Sequence, residues 1–337
     1  MTSEETREAK LELMYRGVDL AGYSLSAQYT DHAHGKLDEL TVSLEDRELA
    51  WQGPWFPQKS DTVHAAIICR NWFAEGDFWR LECGTFRIEE VTLSGPPDQV
   101  EVRCTSAQTL QNARTQKKSK AHENTDLLTI ATGVAGQAGL MLDWQGKNRS
   151  YERVDQAEES DLQFLRRLSL DSGNSLKVAE EKLIVYQAQD WDQKGPHLEL
   201  VRGQQWIKAY RFGTTTHDLY RGAVCQYWMP KEKRYIRGEY SAPDAPETGE
   251  MLVVNQPVAD EGEAQRVAQD CLRKKNRREL TAEVTLVGDP RRRATEVVAL
   301  AGFGAYSTRY FADTATHSID SGSGYVTALK LRQTLEY

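Results

Sequence analysis

Seven histidines and a few closely spaced carboxylates are the residues from which chemistry could be built. His32 and His34 stand two apart, a spacing that sets both imidazoles on one strand face where they could share a metal, but no third ligand lies nearby. The other histidines, His64, His122, His197, His217 and His317, form no H-E-x-x-H pair, and there is no G-x-S-x-G elbow or P-loop. Glu158, Glu159 and Asp161 could supply the two carboxyl groups of a glycoside hydrolase. They stand at the start of a helical pattern, however, where acidic side chains interact favourably with the helix dipole, and that reading is adopted. Trp51, Trp55, Trp72 and Trp79 could stack on sugar faces, although ordinary packing uses the same rings. The five cysteines are an odd number without a C-x-x-C pair, and are read as reduced, mostly buried thiols. No catalytic, cofactor-binding or metal-binding residue is assigned, and the chain is expected not to be an enzyme.

The elements that would position any such group are mainly strands. Leu11, Leu13 and Tyr15 alternate with polar neighbours, as do Leu40, Val42 and Leu44. Further strands are expected over Val63–Cys69, around Phe86 and Ile88, and at Val100, Val102 and Cys104, with a turn at Ser94-Gly95-Pro96-Pro97-Asp98. Regularly spaced short strands without a helical period make residues 1–108 an all-β domain. From Gln108 to Lys120 the chain is polar and basic and is read as a solvated junction. Residues 109–197 then read as α+β. One helix is expected from Asn124 or Thr125 as N-cap to a stop at Gly139. A second starts with Ser160 and Gln163 in capping-box spacing, and carries Leu162, Phe164, Leu165 and Leu168 on its apolar face. Strands follow at Leu176–Val178 and Leu183–Tyr186.

Residues 198–240 return to β character, and Ser241–Gly249 is a loop by composition. A helix capped by Asp260 and Glu263 buries Ala264, Val267, Ala268, Cys271 and Leu272, and ends in Arg273, Lys274, Lys275, Arg277 and Arg278, read as a solvated end. Ala282, Val284 and Leu286 alternate before Gly288-Asp289-Pro290. In the last stretch, Val297–Ala301 is an apolar strand that stops at Gly302-Phe303-Gly304. A polar segment around His317 leads to Gly324, and Tyr325, Leu329, Leu331 and Leu335 form one side of a final strand, with Lys330, Arg332 and Glu336 on the other.

Three of these stretches together carry a resemblance. The run D-E-L-x-V-x-L-E-D-R followed by W-x-G-P-W, the helix start E-S-D-L-x-F-L-R-R-L, and the order Gly302-Phe303-Gly304, Tyr310-Phe311, His317, Gly324-Tyr325 resemble the phage late control protein D family. These are baseplate hub proteins of contractile tails, related to the N-terminal part of VgrG spikes. Two departures stand out: family members often carry a Pro-Gly pair before the strand of the last domain, and a Gly where this chain has Arg309.

The resemblance implies a mainly β fold with α+β insertions: two tail-tube-like β-barrel domains joined by an α+β domain. The second barrel would be built from 198–240 plus 280–337, with 241–279 as an inserted linker and helix. It implies no cofactor and a homotrimer in which each chain gives two tube-like units, so that a ring matches the sixfold tail tube on one face and the threefold central spike on the other. Partners would be the spike protein, the tail tube protein and other baseplate proteins, including the tape measure protein. The needle would be a separate polypeptide, because the chain stops as its last strand ends. An injection particle without a head needs the same hub as a phage, and a secreted VgrG-type spike or a wall-cleaving tail enzyme are the alternatives.

Composition is consistent with that reading. A length of 337 residues suits two or three domains. The net charge of −8 and the mixed signs exclude a basic nucleic-acid-binding domain. A negative lumen would repel DNA passing as transient cargo. No apolar run is long enough for a membrane helix and the N-terminus is acidic, so synthesis in a host cytoplasm and residence in a tail baseplate are expected.

Overall fold

The computed structural model describes residues 6–58, 61–106, 113, 116–179, 182–217, 219–230, 232–243 and 249–337. Alternating apolar residues place β1 (Glu8–Tyr15), β4 (Glu39–Glu45), β5 (Thr62–Arg70), β6 (Phe78–Ser94) and β7 (Gln99–Thr105) where the sequence suggests strands, and the structure adds β2 (Val18–Asp19) and β3 (Ser24–His32), which were not expected. They pair in the order β3-β4-β7-β6-β5-β1-β2 around a core that includes Leu13, Tyr15, Leu40, Trp51, Phe86 and Val102.

A second unit follows, comprising β8 (Lys117–Asp126), α1 (Leu127–Ala138), β9 (Met141–Gln145), β10 (Ser150–Ser160), α2 (Asp161–Asp171), β11 (Asn174–Ala179), β12 (Lys182–Gln187) and α3 (Ala188–Asp192). Two features differ from expectation. The lysines Lys117, Lys118 and Lys120 lie on β8, paired with β10, because the Lys118 ammonium bonds the Asp161 carboxylate; part of the expected junction, residues 108–112 and 114–115, lies outside the described residues. The N-cap of α1 is Asp126, whose carboxylate accepts the Thr129 amide at 2.7 Å, so Asn124 and Thr125 belong to β8. Gly139 ends α1 in the left-handed conformation at φ +67°.

The C-terminal part contains β13 (Leu198–Val201), β14 (Ile207–Thr214), β15 (Gly222–Met229), β16 (Arg234–Ser241), β17 (Met251–Val254), α4 (Glu261–Asn276), β18 (Leu280–Val287), β19 (Val297–Ala301), β20 (Arg309–Asp320) and β21 (Gly324–Gln333). Strands β14, β18, β21, β20, β19 and β13 pair in that order around a second core. The expectation that 198–240 all belongs to this group is corrected: β15, β16 and β17 form a separate three-stranded sheet covered by α4. Gly238 permits that cover, since a Cβ there would stand 2.2 Å from the Gln265 amide nitrogen. The loop expected at Ser241–Gly249 lies partly outside the described residues, at 244–248.

The polar segment around His317 is itself the strand β20, which pairs with β21 on one side and with β3 on the other. Its period was hidden because the buried positions of this stretch, Ala315 and His317, include a polar residue where a half-buried strand usually has an apolar one, and an irregularity between Ala312 and Thr314 breaks the alternation. Through β20 the two groups of strands become one thirteen-stranded sheet with two cores, and no pairing among the described residues closes either group on itself.

Candidate functional site: the seam between the sheet halves

His317 sits at the middle of the seam, fully buried. The Arg292 carbonyl 3.1 Å from Nε2 can only accept, so Nε2 carries the proton; Nδ1 then accepts from the Tyr325 hydroxyl at 2.7 Å. Burial, reinforced by the charge of Arg293, lowers the imidazole pKa to about 4. The ring stacks on Tyr29 of β3, with centroids 6.0 Å apart, and Tyr29 meets Phe86 edge-on. On the other side, Tyr325 packs against Trp72, whose indole N–H donates to the Gly288 carbonyl at 2.6 Å. Gly288 must lack a side chain here, because a Cβ would lie 2.2 Å from the Tyr325 ring.

Residues 288–296 continue the seam with charge. Asp289 accepts two hydrogen bonds from the Arg291 guanidinium, at 2.8 and 2.9 Å, and Arg291 lies over the rings of Phe73 and Trp79. Arg292 reaches Glu296 at 2.9 Å; burial nevertheless raises the Glu296 pKa to about 7. Asp31 joins three parts of the chain: it lies on β3, accepts the Ala294 amide at 2.9 Å and holds the Lys177 ammonium of β11. The same lysine donates to the His32 carbonyl at 3.0 Å.

A second polar node ties α3 and α4 to the sheet. Asp192, at the end of α3, lies 2.9 Å from one nitrogen of Arg332 and 3.0 Å from Arg273. Arg332 also bonds Asp313 at 3.1 Å and stacks over Phe311. Burial opposes its charge, but Asp192 and Asp313 outweigh that and raise its pKa. The expectation that Arg332 lies on a solvent side is therefore corrected: its side chain is 2% exposed, because α3 and the end of α4 cover that face of β21. The expected solvated end of α4 holds for Lys274, Lys275 and Arg278, which are exposed, and is corrected for Arg273, which is buried against Asp192.

The residues singled out from sequence fall into three places. His317, Gly324 and Tyr325 are at the seam, where Gly324 opens β21 at φ +69°. Gly302, Phe303 and Gly304 form a turn at the far end of the second core, where Phe303 packs on Tyr210 and Phe212. Ser160 caps α2 in a complete capping box, Phe164, Leu165 and Leu168 enter the α+β core, and Leu162 is half-buried beside it. Asp31, Asp192, Asp313, Lys177 and Arg332 were not singled out, since each reads as an ordinary surface charge within a polar stretch; an arginine flanked by Leu331 and Gln333 on a strand with an apolar face was the one available signal.

The groups weighed for catalysis are occupied otherwise. Glu159 is held by the Arg167 guanidinium at 2.6 Å, which lowers its pKa. Asp161 is buried and accepts from Gln156 at 3.0 Å. His34 faces Asp313 and His32 faces Glu39, at 3.5 and 3.9 Å, and the described residues hold no group of three potential metal ligands. Trp51 stacks on Tyr15 in the first core, apart from the seam ring of Trp72. The five cysteines are free thiols, and burial pushes those of Cys69 and Cys104 up to about 12.

No family model matches the sequence. Over 218 residues the chain is 24% identical to the probable baseplate hub protein of Escherichia phage P2, covering 62% of this chain and 53% of that protein. Over 241 residues it is 21% identical to the probable baseplate hub protein of Escherichia phage 186, covering 70% of this chain and 59% of that one. Its sequence resembles baseplate hub proteins. The match spans little more than half the length of these hub relatives.

Solved structures agree on the fold. The tail protein from Neisseria meningitidis MC58 superposes with a TM-score of 0.72 at 12% identity, over 97% of this chain and 98% of that one. The 43 kDa tail protein of prophage MuSo2 from Shewanella oneidensis gives 0.70 at 13% identity, over 96% and 98%. A type VI secretion component from E. coli gives 0.56 at 11% identity, over 95% and 76%. The same fold is thus found in phage tail proteins and in a component of a type VI secretion system.

Proposed function

We propose that this chain is a structural baseplate hub of a contractile phage tail or tail-like particle, acting as a trimeric ring between the tail tube and the central spike. One observation carries the reading: two strand groups, each with its own core, are fused through β20 into one sheet, in a chain whose sequence relatives are baseplate hubs. A chain built from two comparable units can place six such units in a ring while repeating only three times, and a heterologous contact that closes on itself makes that ring. On this reading the two groups are the tube-like barrels, the motif residues Ser160, Leu162, Phe164, Leu165, Leu168, Gly302, Phe303, Gly304, His317, Gly324 and Tyr325 are structural, and DNA only passes through.

The partners on this reading are the spike on one face and tube and other baseplate proteins on the other, and the protein resides in the assembled baseplate after synthesis in the host cytoplasm. Likeness to a chain of the Francisella PdpA–VgrG complex, at a TM-score of 0.59, supports a spike as neighbour. Light scattering or sedimentation of the purified protein over a range of concentrations tests the ring. A species of three times the chain mass is expected, alone or on addition of the spike protein; a monomer in both conditions overturns the reading.

A further inference from the structure

A cavity of about 30 Å³ lies where α3, α4, the turn after α2 and the end of β21 converge. Space of about 10–15 Å³ already admits a water-sized species, so one such species fits. The wall carries the cations Arg273, Lys274, Arg277 and Arg332 against the carboxylates Asp192 and Asp270. Among the described residues, the pairings around it account for each of these cations except Arg277. Arg273 and Arg332 share Asp192, with Asp313 behind Arg332. Lys274 lies 3.4 Å from Asp171, and Asp270 is matched by Lys147 at 3.3 Å.

Arg277 is left over. Its Nε is buried with no hydrogen-bond partner. An arginine does not relieve itself by losing a proton, and the carboxylates that reach this half-buried one electrostatically, Asp313 and Asp192, are already shared with Arg332 and Arg273, so the node keeps one cation in excess. Burial and the neighbouring Arg332 push its pKa down to about 10, the direction expected for a cation with too many others near it.

We propose that this cavity is a binding site for one small monovalent anion of halide size, chloride in solution, held by the Arg277 guanidinium. A water molecule could satisfy the orphaned N–H but would bring no charge. An anion does both, and exposed Lys274 at the rim leaves a route for exchange with solvent. Bound there, it completes the charge balance of the node that fastens α4 to α3 and the sheet.

The test uses bromide in place of chloride. Crystals of the full chain grown in sodium bromide are expected to give an anomalous peak in this cavity within hydrogen-bonding distance of Arg277. Bromide peaks elsewhere on the surface with none in the cavity would overturn the proposal. In solution, chloride titration followed by chloride NMR line width should show saturable excess broadening that falls severalfold in Arg277→Met; broadening that survives in that variant also overturns it. Should Arg277→Met fail to fold, Arg277→Lys keeps the charge with fewer fixed donors, and chloride affinity must then weaken severalfold, an unchanged affinity being equally fatal.

Discussion

His317 and Glu296 give the seam opposing responses to pH. The imidazole titrates near 6.5 when unfolded and near 4 when folded, so the unfolded chain binds the extra proton between those values. Its contribution is complete above pH 6.5 and is lost as pH falls toward 4, a change of roughly 3 kcal/mol at most. Glu296 moves the other way: its pKa rises from 4.5 to about 7 in the folded chain, so its contribution is complete below pH 4.5 and is lost as pH rises through 7. Urea unfolding between pH 4 and 8 should show both effects. His317→Gln, whose amide can still donate to Arg292 and accept from Tyr325, is expected to flatten the acid limb, and Glu296→Gln the limb above pH 5. An acid limb unchanged in His317→Gln would mean that another group controls it. At the second node, Asp192→Ala leaves two buried guanidiniums facing one another, and a loss of about 3–5 kcal/mol in unfolding free energy is expected. A loss below 1 kcal/mol, measured by the same urea titration, would show that the pair is replaced by solvent.

Among the elements, α2 and the sheet covered by α4 differ in how they are fixed. α2 is set by local chemistry: Ser160 and Gln163 satisfy one another's backbone amides, and removing the hydroxyl in Ser160→Ala should cost about 1 kcal/mol. The α4 sheet depends on close approach at Gly238, so Gly238→Val should lower its stability by more than the serine change does, with thermal melting monitored by circular dichroism as the readout. A melting point as high as that of the unsubstituted protein would mean that α4 can shift without loss. These differences also explain what could be read from the sequence. The capping box, β4, β5, β7 and β18 are local patterns and were legible. The strand β20 was not, because its buried face is centred on the polar His317, which is covered only by the arrival of Tyr29 of β3, some 280 residues away. Arg332 and Asp192 were illegible for the same reason: each looks like a surface charge until the other is brought beside it. The separate sheet of β15, β16 and β17 was missed because strand periodicity says nothing about which strand is the neighbour.

At the scale of the whole molecule, β20 makes the two cores interdependent. A hydrogen-bonded edge, the stack of His317 on Tyr29 and the Asp31 contacts all cross between them, so calorimetry should record both strand groups melting together. Two resolved transitions, one per group, would contradict this. The order of synthesis adds a further consequence. Strand β3 is made some 280 residues before its partner β20, so the emerging polypeptide carries an open, pairing-competent edge until β20 has been synthesised. Chain termination before residue 309 would release a product with that edge exposed, ready to pair with another copy of itself.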